Sequence, residues 1–137
     1  MAMNLGPRLT GNMIMNDGDW LTSDGEFYTL RLQSGQLSLI SLQGVATPIA
    51  GAALHPGDVC CMQAGGNLVI GFPPAGAHPP HYASGTGAFA GAQLILEDTG
   101  QAIIFDALGT IRWINGVLQQ GGAQVPQVGL IIEAELS

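Results

Sequence analysis

The chain has 137 residues, 47% of them apolar and only 9% charged, against roughly 25% charged in an average soluble domain. Arg8, Arg31 and Arg112 are its only Lys or Arg residues, and the net charge is −7. That balance excludes the basic footprint of a nucleic-acid binder or of a protein held on an anionic membrane. The length predicts a single domain over residues 1–137 with a sizeable core. A surface so poor in charge predicts that part of it is covered in a homo-oligomer.

Met1 to Thr10 carries one arginine and no apolar stretch of the kind a secretory signal needs. The long charge-free run between Asp58 and Glu97 is interrupted by Gly, Pro and His, so no membrane insertion is expected. Cys60 and Cys61 are adjacent, and neighbours in a strand face opposite ways. They read as two free thiols, which suits a cytoplasmic protein or one exported without a signal peptide.

In chain order, Leu5–Leu9 reads as an extended lead-in and Met13–Met15 as a short strand. Asp17-Gly18-Asp19-Trp20 and Ser23-Asp24-Gly25-Glu26 are turn signals on either side of a strand-like Trp20-Leu21-Thr22. A phrase then recurs: apolar run, glycine turn, apolar run. Its copies are Leu32 to Ile40, Met62 to Ile70 and Leu96 to Phe105. Their turn glycines, Gly35, Gly66 and Gly100, lie 31 and 34 residues apart. Repetition at this period predicts one hairpin unit used three times, near residues 27–40, 58–71 and 92–105.

Aligning the copies tests the register. Leu30, Cys60 and Leu94 form one apolar column, and Leu32, Met62 and Leu96 another. The column between them, Arg31, Cys61 and Ile95, is mixed. Period-2 alternation of this kind predicts half-buried strands, with Cys60 in the core and Cys61 on the other face. Val45–Ile49 reads as a further short strand, Phe72 to His81 as a proline-rich loop, Thr110–Ile114 as a strand carrying Trp113, and residues 128–136 as a last strand. No segment carries a helical period, so the fold class is all-β.

The phrase resembles the Gln-x-Asp-Gly-Asn-Leu-Val-x-Tyr motif of bulb-type (monocot mannose-binding) lectins. The likeness extends from about Asn16 to Trp113. It takes in the opening Asp19 to Gln33, the corner Tyr82-Ala83-Ser84-Gly85-Thr86 and the closing turn Asp106 to Trp113. The resemblance implies a β-prism of three antiparallel sheets around a pseudo-threefold axis. Trp113 and Tyr82 take the central aromatic column, with Ile49 as the candidate third member. It also implies a mannose-type glycan as ligand, no cofactor, and dimerisation by exchange of C-terminal strands, here 128–136. The family's disulfide has no counterpart.

Carried over residue by residue, the middle copy supplies Gln63, Asn67 and Val69, with Gly65 and Gly71 where the family has Asp and Tyr. The third supplies Glu97, Thr99 and Gln101, followed by Ile103 and Phe105. The first departs most, with Gln33, Gln36, Ser38 and Ile40. Each lost hydrogen-bond partner costs about 1–3 kcal/mol, so the expected sites are weak or altered, the middle one ranking first. The alternative is a prism kept as a structural or protein-interaction module.

Other chemistry is poorly supported. Asp17, Asp19, Asp24 and Glu26 lack calcium-loop spacing and suit turns better. His78 and His81 stand in a proline-rich loop with no neighbouring Cys or acid. No triad, phosphate loop or acid pair suggests an enzyme.

Overall fold

A computed structural model describes residues 2–119. Among these residues there are thirteen strands and no helix. They are β1 (Arg8–Leu9), β2 (Met13–Met15), β3 (Trp20–Thr22), β4 (Tyr28–Gln33), β5 (Gln36–Ser41), β6 (Ala46–Gly51) and β7 (Val59–Met62). The others are β8 (Leu68–Gly71), β9 (Tyr82–Ala83), β10 (Gln93–Leu96), β11 (Ala102–Phe105), β12 (Ile111–Ile114) and β13 (Val117–Leu118). The expected strand at 128–136, and the strand exchange built on it, lie outside the described residues.

The strands form three antiparallel sheets, a three-sheet prism. Each has a glycine-turn hairpin at its centre: β4–β5, β7–β8 and β10–β11. Each is completed on one side by the strand that follows, β6, β9 or β12, with β13 beyond β12. On the other side stands a strand from the first 22 residues: β3 beside β4, β2 beside β7, and β1 beside β10. The N-terminal lead-in therefore visits the third sheet, then the second, then the first. Arg8–Leu9, expected only as extended chain, is an edge strand because its backbone groups pair with Ile95 and Leu94.

The hairpin register puts the two apolar columns inside. Leu30, Cys60 and Leu94 are fully buried, as are Leu32 and Met62, with Leu96 close behind. Arg31 and Ile95 of the mixed column are half-buried, whereas Cys61 is nearly buried despite facing the other way. Burial pushes the Cys60 thiol far up, with Cys61 beside it adding to the shift, and burial also raises Cys61. Both therefore stay protonated at neutral pH and behave as small hydrophobes.

At the centre, Trp113 is fully buried and its Nε1–H donates to the Tyr82 hydroxyl at 2.9 Å. Tyr82 and Ile49 are half-buried against the same core. Trp20, by contrast, is only half-buried and lies under the Arg31 guanidinium, 5.5 Å from the ring centre.

Two of the four acidic turn residues are occupied by backbone. Asp17 accepts from the N–H groups of Ser34 and Gly57, and buried Asp19 from those of Met3 and Asn16. Each carboxylate thus ties two segments together, which accounts for its position without a bound cation.

Candidate functional site

The middle hairpin holds Gln63, Asn67 and Val69 on alternate positions, but they do not form one open surface. Val69 is buried, and Gln63 lies beside it in a small cavity. The proline-rich loop after β8 lies over them: Phe72, Ala75, Gly76, His78 and Pro80 make the opposite wall. About 30 Å³ is left between, room for water but not for a sugar ring. Gly71, standing where the resemblance puts a tyrosine, has the Pro80 backbone against it; a Cβ there would lie 3.2 Å from Pro80 Cα.

Asn67 points elsewhere. Its Oδ1 accepts from the Ser84 hydroxyl at 3.0 Å and from the Gly85 N–H at 3.1 Å. Ser84 also contacts the Thr86 hydroxyl at 2.6 Å, and Thr86 donates to the Gly66 carbonyl. Ser84 and Thr86 are buried. Their network, with Asn67 in it, fastens the glycine turn to the corner that follows β9. Gly66 is required in the same place: its φ is +104°, and a Cβ would collide with the Phe89 carbonyl.

The third hairpin differs. Gln93 and Ile95 of β10, with Glu97 just past its end, form one wall of an open cleft of about 390 Å³. Phe105, Asp106, Ala107 and Gly109, from the end of β11 and the turn beyond, form the other. A register shift between Ile104 and Phe105 brings the strand into that turn. The volume falls within the roughly 300–1,000 Å³ of small-molecule sites.

Polar atoms at the rim are held in place. Asp106 Oδ1 accepts from the N–H groups of Leu108 and Thr110, and its Oδ2 lies 3.0 Å from Arg112 Nε. Burial pushes the Asp106 carboxyl up, but the Thr110 N–H, Arg112 and the Leu108 N–H together outweigh it and hold it below the usual carboxylate range. Arg112 in turn lies over the Phe89 ring, 4.1 Å from its centre. Gln93 Oε1 is 3.4 Å from an Arg8 guanidinium nitrogen, a long contact that leaves the amide available.

Of the third-copy residues singled out in the sequence, Glu97 lines this cleft. Thr99 and Gln101 are exposed on the turn. That turn is pinned by Asp98, whose Oδ1 accepts from Gly25 N–H at 2.8 Å, and by the Tyr28 ring packed against Gly100. Gln93 and Asp106 were absent from the sequence-derived site. Gln93 stands two residues before the first outward position of that strand so assigned, and strand alternation alone was the signal that could have found it.

No protein-family profile matches the chain, and no curated protein matches it in sequence. Solved structures do match. A lectin of Marasmius oreades superposes with a TM-score of 0.66 at 18% identity, covering 85% of this chain and 99% of its own. A monomeric monocot mannose-binding lectin from Gastrodia elata gives 0.64 at 23% identity, over 82% and 99%. A lectin from Allium sativum gives 0.58 at 23% identity, over 72% and 92%. The chain has the three-sheet fold of the bulb-type, monocot mannose-binding lectins.

Proposed function

We propose that the chain is a carbohydrate-binding protein and that its working site is the cleft on the third sheet, with a mannose-type glycan as ligand. The observation that carries this reading is the open volume of about 390 Å³ beside Glu97, Gln93 and Phe105. A carboxylate and an amide offer acceptors and donors to sugar hydroxyls. The Phe105 ring and Ile95 offer an apolar surface to the ring carbons. The middle face, first choice on its motif, ranks behind because its cavity is only about 30 Å³. The chain works as a binding protein and not as an enzyme.

The test is a glycan array followed by calorimetric titration with mannose and a mannose-rich oligosaccharide. Glu97→Ala is expected to lose about 1–3 kcal/mol of affinity, a charged hydrogen-bond partner's worth, while Gln63→Ala binds as the wild type does. Binding lost in Gln63→Ala but kept in Glu97→Ala would return the site to the middle face. A folded protein silent across the array would sink the lectin reading.

A second reading, an interaction module, is favoured by exposed apolar side chains. Leu108, in the turn between β11 and β12, is 93% exposed, and Val117, on the edge strand β13, is 62% exposed. On this reading the chain is a homo-oligomer, and strand exchange through residues 128–136 is its proposed means. Sedimentation at micromolar concentration tests it: a monomer there would remove the exchange.

A further inference from the structure

Away from both hairpin faces, three side chains of metal-binding type converge. His55 and Asp58 come from the loop between β6 and β7, and His81 from the residue before β9. Their donor atoms all lie within 4.8 Å of one another. His81 Nδ1 is 2.6 Å from Asp58 Oδ2, and the His55 and His81 rings are stacked with centres 3.7 Å apart. Backbone bonds hold all three: His55 N–H donates to the Ser34 carbonyl, Asp58 N–H to that of His55, and His81 N–H to that of Ile70. The Gly35 turn closes one side, where a Cβ would stand 3.0 Å from Asp58 Oδ2 and 3.3 Å from His55 Cβ.

Asp58 decides the reading. Its side chain is 1% exposed, and His81 is its one side-chain partner among the described residues. A buried carboxylate needs a positive neighbour, because desolvation of an unmatched charge is expensive. Two imidazoles and a carboxylate are the donor set of zinc and kindred divalent transition metals. Calcium and magnesium prefer oxygen alone. Three protein donors leave a fourth position free, and the His81 side chain, 38% exposed, opens the site to solvent.

We propose that His55, Asp58 and His81 bind a divalent transition-metal ion of zinc type. Donors at about 2.0–2.2 Å from a tetrahedral ion stand about 3.3–3.6 Å apart. The donor atoms, within 4.8 Å of one another without the ion, close by up to about 1.5 Å as it binds. Parallel rings cannot both aim a lone pair at one ion, so His55, the ring not tied to Asp58, turns as the ion enters. The ion then joins the loop before β7 to the end of the proline-rich loop. Val59 and Pro80, each next to a ligand, line the closed middle cavity. The metal therefore fastens the cover over Gln63 and Val69.

The experiment uses the full chain without a histidine tag, titrated with zinc chloride by calorimetry after removal of metal with EDTA. One ion per chain is expected, with a Kd on the order of micromolar or tighter. The thermal midpoint should rise by several degrees with zinc and fall back with EDTA. His55→Gln and Asp58→Asn should each weaken binding at least about tenfold, with near-ultraviolet circular dichroism checking that each variant is folded. His78→Ala, which changes the remaining histidine, should keep wild-type zinc affinity. If the wild type takes up no zinc at one per chain, if folded His55→Gln binds as tightly as wild type, or if His78→Ala loses the ion, the site is wrong.

Discussion

The middle and third hairpins share a backbone and differ in what lies over them. Both are two antiparallel strands joined at a glycine turn, with the inward columns Cys60–Met62 and Leu94–Leu96 buried alike. The middle hairpin keeps more of the lectin phrase, yet the proline-rich loop covers its outer face to leave about 30 Å³. The third keeps less of the phrase and carries a cleft of about 390 Å³. The connection that follows each hairpin decides whether its outer face is covered or open.

The strongest way to break the comparison is through the shared core. Leu94→Ala should cost about 2–5 kcal/mol, the loss of a fully buried leucine, read by urea denaturation. Cys60→Ala, at the same column of the second sheet, removes one atom and should cost much less. Equal costs would mean that the two hairpins are not backed by one core in the same way.

Next in size is the ligand face. Phe105→Ala should weaken the proposed glycan binding by about 5–150-fold, the equivalent of about 1–3 kcal/mol, with the unfolding midpoint little changed. Asn67→Ala should do the reverse: it leaves Ser84 and Gly85 without their acceptor and costs about 1–3 kcal/mol of stability, with glycan titration unaffected. If Asn67→Ala abolished glycan binding in a protein of unchanged stability, the middle turn would be a ligand site after all.

The smallest effect concerns pH. Asp106 has its folded pKa depressed by the Thr110 N–H, Arg112 and the Leu108 N–H against the opposing effect of burial. Its contribution is therefore fully present above the unfolded carboxylate value of about 4 and is lost as pH falls through the lower folded value. Asp106→Asn should be less stable than wild type at neutral pH, and the gap should narrow below about pH 4. A gap that widens in acid would reverse the assignment.

The local features of this fold were legible. Alternation around Gly35, Gly66 and Gly100 located the three hairpins, because strand burial has a period of two and a glycine turn is short-range. The likeness of Tyr82 and Trp113 to a central aromatic pair led to two side chains joined by a hydrogen bond. Of the residues that line the third cleft, Glu97 and Phe105 belong to the recurring phrase, whereas Gln93 and Asp106 reach it from positions that the phrase does not include.

By itself, the sequence determined that the chain folds as strands, which face of each hairpin is buried, and where the turns fall. These follow from neighbours a few residues apart. Tertiary structure alone decided that the first 22 residues give one edge strand to each sheet, that residues 72–80 close the middle face, and that His55, Asp58 and His81 meet. Each of these joins segments far apart in the chain, through backbone groups that any residue carries or through side chains that no local period relates.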